Sequence, residues 1–165
     1  MGKKPPVIAV AGPTASGKSD LGLKLARCLG GEIVCMDSMQ IYRRMDIGTA
    51  KPTAQEQALV PHHMLDVADP TEAYAVADYA VAAEHVIDQI ISRGRLPILV
   101  GGTGLYLKAL MDGLSLGGAG GDERIQVVFS DITDRKHESQ RRVNNTLLSI
   151  YDEVFEINAE LGVCF

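Results

Sequence analysis

Gly12-Pro13-Thr14-Ala15-Ser16-Gly17-Lys18-Ser19 has the G-x-x-x-x-G-K-[ST] spacing of a phosphate-binding loop and lies between the two elements such a loop joins. Upstream, Val7-Ile8-Ala9-Val10-Ala11 is an apolar run of strand length entered through Pro5-Pro6. Downstream, Leu21, Leu23, Leu25, Ala26 and Leu29 give a helix with a buried face. The glycines let the backbone turn tightly, so that successive N–H groups point inward, and the new helix adds the positive end of its dipole. This makes a cradle for a di- or triphosphate. Lys18 is placed to reach the outer phosphates, and Ser19 to hold a Mg²⁺ that bridges phosphate oxygens. The loop alone does not say which phosphate compound it takes.

Outward from the loop, the succession of apolar runs predicts alternating strands and helices. Gly30-Gly31 stops the first helix, and Glu32-Ile33-Val34-Cys35-Met36 reads as a second buried strand ending at Asp37. In open parallel sheets ligands gather outside the carboxyl ends of the strands, which puts Asp37 at the same crevice as the loop. Two roles fit it there: a Mg²⁺ partner of the kind found at acidic strand ends in nucleotide hydrolases, or a turn cap. Residues 59 to 65 contain a short strand, and Tyr74 to Ile91 carries a helical apolar pattern at Val76, Tyr79, Ala80, Ala83, Val86, Ile87 and Ile90. Leu96-Pro97-Ile98-Leu99-Val100 is a further buried strand, turned by Gly101-Gly102-Thr103-Gly104 into another helix. Thr103 suits a helix cap and a crevice-facing hydroxyl, and the two roles can hold at once. The predicted class is α/β, a P-loop NTPase-like, doubly wound three-layer fold with a parallel sheet.

Length and composition agree. The 165 residues suit one domain, or a domain with an appendage, and 46% hydrophobic content suits a globular chain. No window approaches the roughly eighteen apolar residues of a membrane span, and Met1 to Pro6 leads straight into a strand. A cytoplasmic protein with no membrane partner is expected. Cys28, Cys35 and Cys164 are odd in number, widely spaced and without a C-x-x-C pair, so buried reduced thiols are expected rather than disulfides or a zinc site. His62-His63 suggests no metal site either, since adjacent side chains diverge. The net charge of −5 argues weakly against a nucleic-acid partner. Its acidic excess is concentrated after residue 114, however, and the nearly neutral first part leaves room for a local basic face.

Beyond the loop the chain carries more specific blocks: Asp37-Ser38-Met39-Gln40-Ile41-Tyr42, Met45-Asp46-Ile47-Gly48-Thr49-Ala50-Lys51-Pro52, Pro61-His62-His63-Met64-Leu65-Asp66, Val76-Ala77-Asp78-Tyr79 and Gly101-Gly102-Thr103-Gly104-Leu105-Tyr106. With Gly12 to Ser19 they stand in the order of the tRNA dimethylallyltransferase (tRNA isopentenyltransferase) family, which the chain resembles from about Val7 to about Leu114. The resemblance implies transfer of a dimethylallyl group from dimethylallyl diphosphate to N6 of the adenosine 3′ of the anticodon. Asp37 then matches the family's general base, worth on the order of 10²–10⁴-fold in such a reaction. Lys18, the loop N–H groups and Mg²⁺ on Ser19 would stabilise the departing diphosphate, with Thr103 near the reacting centre. The resemblance also implies tRNA contacts at Asp37, Ser38, Met39, Gln40, Thr49, Ala50, Lys51 and Thr103. Gln40 suits the adenine edge, with the base taken out of its stack, and Lys51 is available to a phosphate. Asp66, Asp69 and Asp78 read as turn and surface acids. The expected partners are the anticodon stem-loop and dimethylallyl diphosphate, and the protein, if complete, is expected to be a monomer.

After Leu114 the pattern changes. Ser115 to Gly121 has a linker composition, Asp122-Glu123-Arg124-Ile125 resembles the start of a family helix, and Gln126-Val127-Val128-Phe129 reads as a strand. Val127 to Lys136 resembles the exit segment of PAS sensory domains, with a signalling helix over 134–150 and a new strand over 154–158. The expected division is a core over 1–114 and a linker and tail over 115–165, with an incomplete fold, because family chains are about twice this length. Three functions remain open at this point. They are the prenyltransferase, a P-loop small-molecule kinase or nucleotide hydrolase with Asp37 on Mg²⁺, and an inactive diphosphate- or nucleotide-binding fragment.

Overall fold

The computed structural model describes residues 6–114 and 125–129. The elements in chain order are β1 (Val7–Ala11), α1 (Lys18–Leu29), β2 (Gly31–Cys35), α2 (Ala54–Leu59), β3 (His62–His63), α3 (Val76–Ser92), β4 (Leu96–Gly101), α4 (Gly104–Leu114) and β5 (Ile125–Phe129). All strand pairs are parallel, in the order β3-β2-β4-β1-β5. The apolar runs at 7–11 and 96–100 are therefore strands as expected, and the strand read at 126–129 joins this same sheet beside β1. The linker at 115–121, the segment 122–124, the helix read at 134–150 and the strand at 154–158 lie outside the described residues, as does Cys164.

Period-2 alternation splits the sheet into two apolar faces. Val7, Ala9, Val34 and Leu99 cluster with Tyr79, Ala83, Ile87 and Ile90 of α3 and Tyr106, Leu107 and Leu110 of α4. On the opposite face α1 covers the strands through Leu25, Ala26 and Leu29. Leu21 and Leu23 are only half-buried. The residue of that first turn buried against the sheet is Gly22, where an added Cβ would lie 2.5 Å from Val100 Cγ2. A helix layer on each face of a parallel sheet is the predicted three-layer architecture.

Local chemistry sets the element ends. Gly30 closes α1 in the left-handed region (φ 62°) and its N–H bonds the Ala26 carbonyl, so the expected stop holds, while Gly31 already belongs to β2. The helix expected from Tyr74 starts two residues later, where the Asp78 carboxylate accepts the Ala75 N–H at 2.9 Å. α2 was not anticipated, although Thr53 and Glu56 form a reciprocal capping box at its start. The expectation of buried thiols holds for Cys35 and fails for Cys28, which sits on the exposed side of α1.

Glu32 is a carboxylate inside the apolar β2 run, and a buried charge needs partners. It accepts from Arg93 Nη2 at 2.8 Å and pairs with His63 Nε2 at 2.7 Å. Burial alone would raise its pKa, but the Arg93 and His63 hydrogen bonds outweigh burial and hold it below the usual carboxylate range. The sign follows from linkage: the carboxylate's contribution is complete above the unfolded pKa near 4.5 and is lost as pH falls through the lower folded value. Glu32→Gln is expected to lower stability at pH 7 by about 1–3 kcal/mol and to flatten the acid limb of the stability curve. Urea titrations of both proteins at pH 7 and below pH 4 check this.

Candidate active site

The strand order makes the site. β1 and β2 follow one another in the chain but are not neighbours in the sheet, because β4 lies between them, pairing Ile98 with both Ile8 and Ile33. The turn leaving β4 thus stands between the phosphate-binding loop after β1 and the turn after β2. Gly101 passes so close to that second turn that an added Cβ would lie 2.0 Å from the Met36 carbonyl oxygen. Three hydrogen bonds join the two turns: Met36 N–H to Val100 O, Thr103 N–H to Met36 O, and Ser38 N–H to Thr103 Oγ1 at 3.3 Å. On the other side Gly102 packs on the loop, with a Cβ position 3.1 Å from Gly12 O and 3.9 Å from Lys18 Nζ.

The loop has the conformation its sequence demands. Gly17 ends it in the left-handed region (φ 77°) as the N-cap of α1, and Ala15 also has positive φ (62°). The Ser16 N–H bonds the Pro13 carbonyl at 3.3 Å. Lys18 Nζ donates to the same carbonyl at 3.1 Å, so the lysine folds back over the loop it is expected to serve. Pro13, Thr14 and Ala15 are exposed, as is Ser19 at the second residue of α1.

Asp37 is half-buried at the end of β2. Its Oδ1 accepts the N–H groups of Met39 at 2.8 Å and Gln40 at 3.3 Å, which is the turn-cap role. Oδ2 has no hydrogen-bond partner among the described residues, so only one oxygen fixes the carboxylate. Beside it, Ser38 and Met39 are exposed. The Cys35 thiol is no rival nucleophile, since burial first and the Asp37 charge second push its pKa up to about 12. The Thr103 hydroxyl does not cap α4: it accepts the Ser38 N–H, and the Thr103 carbonyl starts the helix.

The residues expected to meet RNA separate into two groups. Ser38, Met39 and Asp37 lie at the crevice. Gln40 turns its side chain inward, Nε2 donating 3.0 Å bonds to the carbonyls of Thr49 and Ala50. Thr49 Oγ1 in turn donates to Met45 O at 2.6 Å. Lys51, read as available to a phosphate, is not presented to solvent: its side chain is 6% exposed and Nζ is bound by Asp46, Asp66 and the Tyr42 carbonyl. His62 and His63 diverge, one to Val60 O and the other to Glu32. The sequence reading missed the partners of Lys51 and of Glu32; the signal for the second was a lone acid in an apolar strand.

A parallel α/β sheet whose phosphate-loop sequence is tied through β4 to an acid-bearing turn has the architecture of a P-loop protein. A family model described as IPP transferase matches residues 40–159, and the chain belongs to that family. The match also covers residues 115–159, which the motif blocks had left apart. tRNA dimethylallyltransferase 1 of Trichlorobacter lovleyi is 57% identical over 112 residues, covering 68% of this chain and 37% of that protein. The tRNA dimethylallyltransferase of Pelotomaculum thermopropionicum is 52% identical over 124 residues, 75% of this chain and 40% of the relative. Of solved structures, the full-length tRNA isopentenylpyrophosphate transferase of Bacillus halodurans superposes with a TM-score of 0.65 at 42% identity, over 98% of this chain and 51% of its own. A eukaryotic dimethylallyltransferase acting on tRNA gives 0.63 at 38% identity, over 66% of this chain and 27% of that one. The chain thus spans well under half the length of these two curated relatives.

Gly101→Ala is expected to cost about 1–3 kcal/mol or more, because backbone must move to admit the methyl. Gly104→Ala, with nothing within 4 Å of the added carbon and a helical position, is expected to be neutral or stabilising by about 0.5–1 kcal/mol. Paired denaturant titrations compare the two.

Proposed function

We propose that this chain carries the donor-binding and base-bearing part of a tRNA dimethylallyltransferase, moving the dimethylallyl group from its diphosphate to N6 of the adenosine 3′ of the anticodon. The observation that supports the reading is the turn after β4, bonded to the Asp37 turn through Met36, Thr103 and Ser38 and packed through Gly102 on Gly12 and Lys18 of the loop. An exocyclic adenine amine is a poor nucleophile, since its lone pair is delocalised into the ring. Oδ2 of Asp37 takes its proton as the N–C bond forms. The allylic C–O bond breaks, and the electrons leave with diphosphate, whose charge is met by Lys18 and the inward N–H groups of the loop. Ser38, Met39, Thr49, Ala50 and Thr103 border the acceptor, a base extruded from the anticodon loop.

Mg²⁺ fits this donor set in one way. No group of three or more His, Cys, Asp or Glu side chains capable of holding a metal exists among the described residues. The protein would supply the Ser19 hydroxyl, with the remaining oxygens coming from diphosphate and water, as is usual for this ion. Bound there, it would neutralise charge on the departing diphosphate. No helix among the described residues is long and apolar enough to cross a membrane.

Incubation with labelled dimethylallyl diphosphate and unmodified anticodon stem-loop is expected to transfer label to RNA. Asp37→Ala is expected to lower the rate by about 10²–10⁴-fold with diphosphate affinity unchanged. Lys18→Ala should weaken diphosphate binding, read by calorimetry. Saturable diphosphate binding without transfer would identify a binding fragment; turnover of ATP would replace this reading with the kinase or hydrolase.

A further inference from the structure

Asp46, Asp66 and the Tyr42 carbonyl converge on one ammonium, at 2.7, 2.8 and 3.0 Å from Lys51 Nζ. The three acceptors come from two stretches of backbone. Tyr42 and Asp46 lie in the loop that leaves the Asp37 turn, while Asp66 lies in the segment after β3. The two segments also meet through Asp66 N–H to Gln40 O, Ala68 N–H to Ile41 O, Arg43 N–H to Ala68 O and Arg43 Nε to Asp66 O. Positive φ at Arg44, Gly48, Ala50, Met64 and Asp66 shows a backbone bent against its own preference for most of these residues. Such a path needs something to hold it. Burial disfavours the lysine's charge, but the hydrogen bonds from Asp46 and Asp66 outweigh it and raise the pKa above the ordinary value. The ammonium therefore stays charged across the neutral range.

We propose that Lys51 is a positioning residue for the acceptor nucleotide: its buried ammonium pins the 42–51 loop to Asp66, and the Thr49 and Ala50 carbonyls of that loop hold the Gln40 amide beside the Asp37 turn. The inference rests on the reading that this turn receives the acceptor base. It assigns Lys51 to the clamp between the 42–51 loop and Asp66 and removes it from the phosphate contacts that a lysine in an RNA-facing loop would ordinarily make. Loosening the clamp lets Gln40, and with it the backbone N–H that anchors Asp37 Oδ1, move away from the productive geometry. A displacement of about 1 Å at such a site can cost on the order of 10²-fold in rate.

The test compares Lys51→Met with Asp46→Asn/Asp66→Asn, which keeps the lysine and frees it. Hydrogen exchange of each protein is read first. Both variants are expected to raise exchange about tenfold or more at amides 39–50 and to leave β1, β2 and β4 unchanged. Unchanged exchange at 39–50 overturns the proposal. If Lys51→Met loosens the whole sheet, the double variant carries the comparison. Stem-loop binding is then measured against salt: the slope of log K on log[salt] is expected to be the same in Lys51→Met as in the unsubstituted chain. A slope smaller by about 0.7, or tighter binding by the double variant, identifies a phosphate contact and overturns the proposal. In transfer assays both variants are expected to lose about tenfold or more in kcat with KM for dimethylallyl diphosphate unchanged. A chain that binds RNA but transfers nothing fails the activity reading alone, with exchange and salt dependence still deciding Lys51; no RNA binding at all overturns both.

Discussion

Everything at the carboxyl end of the sheet depends on how closely the Gly101 backbone passes the Met36 carbonyl. No side chain fits in that gap, so β4 can lie flush against β2, and its turn can exchange hydrogen bonds with the turn that carries Asp37. The same turn rests on Gly12 and Lys18 from the other side. Two glycines in succession therefore serve two neighbours, one per flank. A sheet with β1 and β2 side by side would hold the phosphate loop and the acid one strand spacing closer, about 4.8 Å, with no turn between them. Inserting β4 sets the two turns apart and fills the gap with a hydroxyl, Thr103, that fastens Ser38.

Much of this was legible in the chain, because the signals were local. A strand, a glycine-rich turn and a helix at 7–29 follow from periodicity and phosphate-loop spacing, and the apolar run at 96–100 ends where glycines require it to end. Strand order was not legible: nothing in the residues of β1 or β2 says that a third strand will enter between them. Side-chain partners across long stretches were equally hidden. Lys51 was read as available to a phosphate because its carboxylate acceptors lie five and fifteen positions away in bent backbone. Thr103 had the right spacing for a helix cap, yet the nearby Ser38 N–H, brought in by the sheet, competes successfully for its hydroxyl. Cys28 failed for a simpler reason, since one small residue on an amphipathic helix can face either way. The capping box at Thr53 and Glu56 was readable by rule and passed over because α2 is short and has no buried residue.

The motif blocks mix chemistry with construction. Within Gly101 to Tyr106, Gly101 and Gly102 allow the close approach, Thr103 fastens the crevice, and Tyr106 is core. Within Met45 to Pro52, Asp46 and Lys51 are an ion pair that holds the loop, and Thr49 and Ala50 offer carbonyls to Gln40. The buried charges follow one pattern. Glu32 and Lys51 are each surrounded by two opposite charges or their hydrogen-bonding equivalents, and each joins β2 or its exit to the segment around β3. That segment has only two residues of strand, and the side-chain ion pairs add to backbone bonds such as Ala68 N–H to Ile41 O and Arg43 N–H to Ala68 O in holding it.

Tyr79 and Tyr106 stack with ring centroids 3.9 Å apart and planes 7° from parallel, and the Tyr79 hydroxyl is bonded to the Cys35 carbonyl. The chain has five tyrosines and no tryptophan. Near-ultraviolet absorption therefore comes from phenols without an indole to mask them, and two of the five are fixed face to face in an asymmetric, dry setting. Their coupled transitions give the molecule a built-in circular-dichroism band that reports whether α3 and α4 are seated on the sheet, with no label attached.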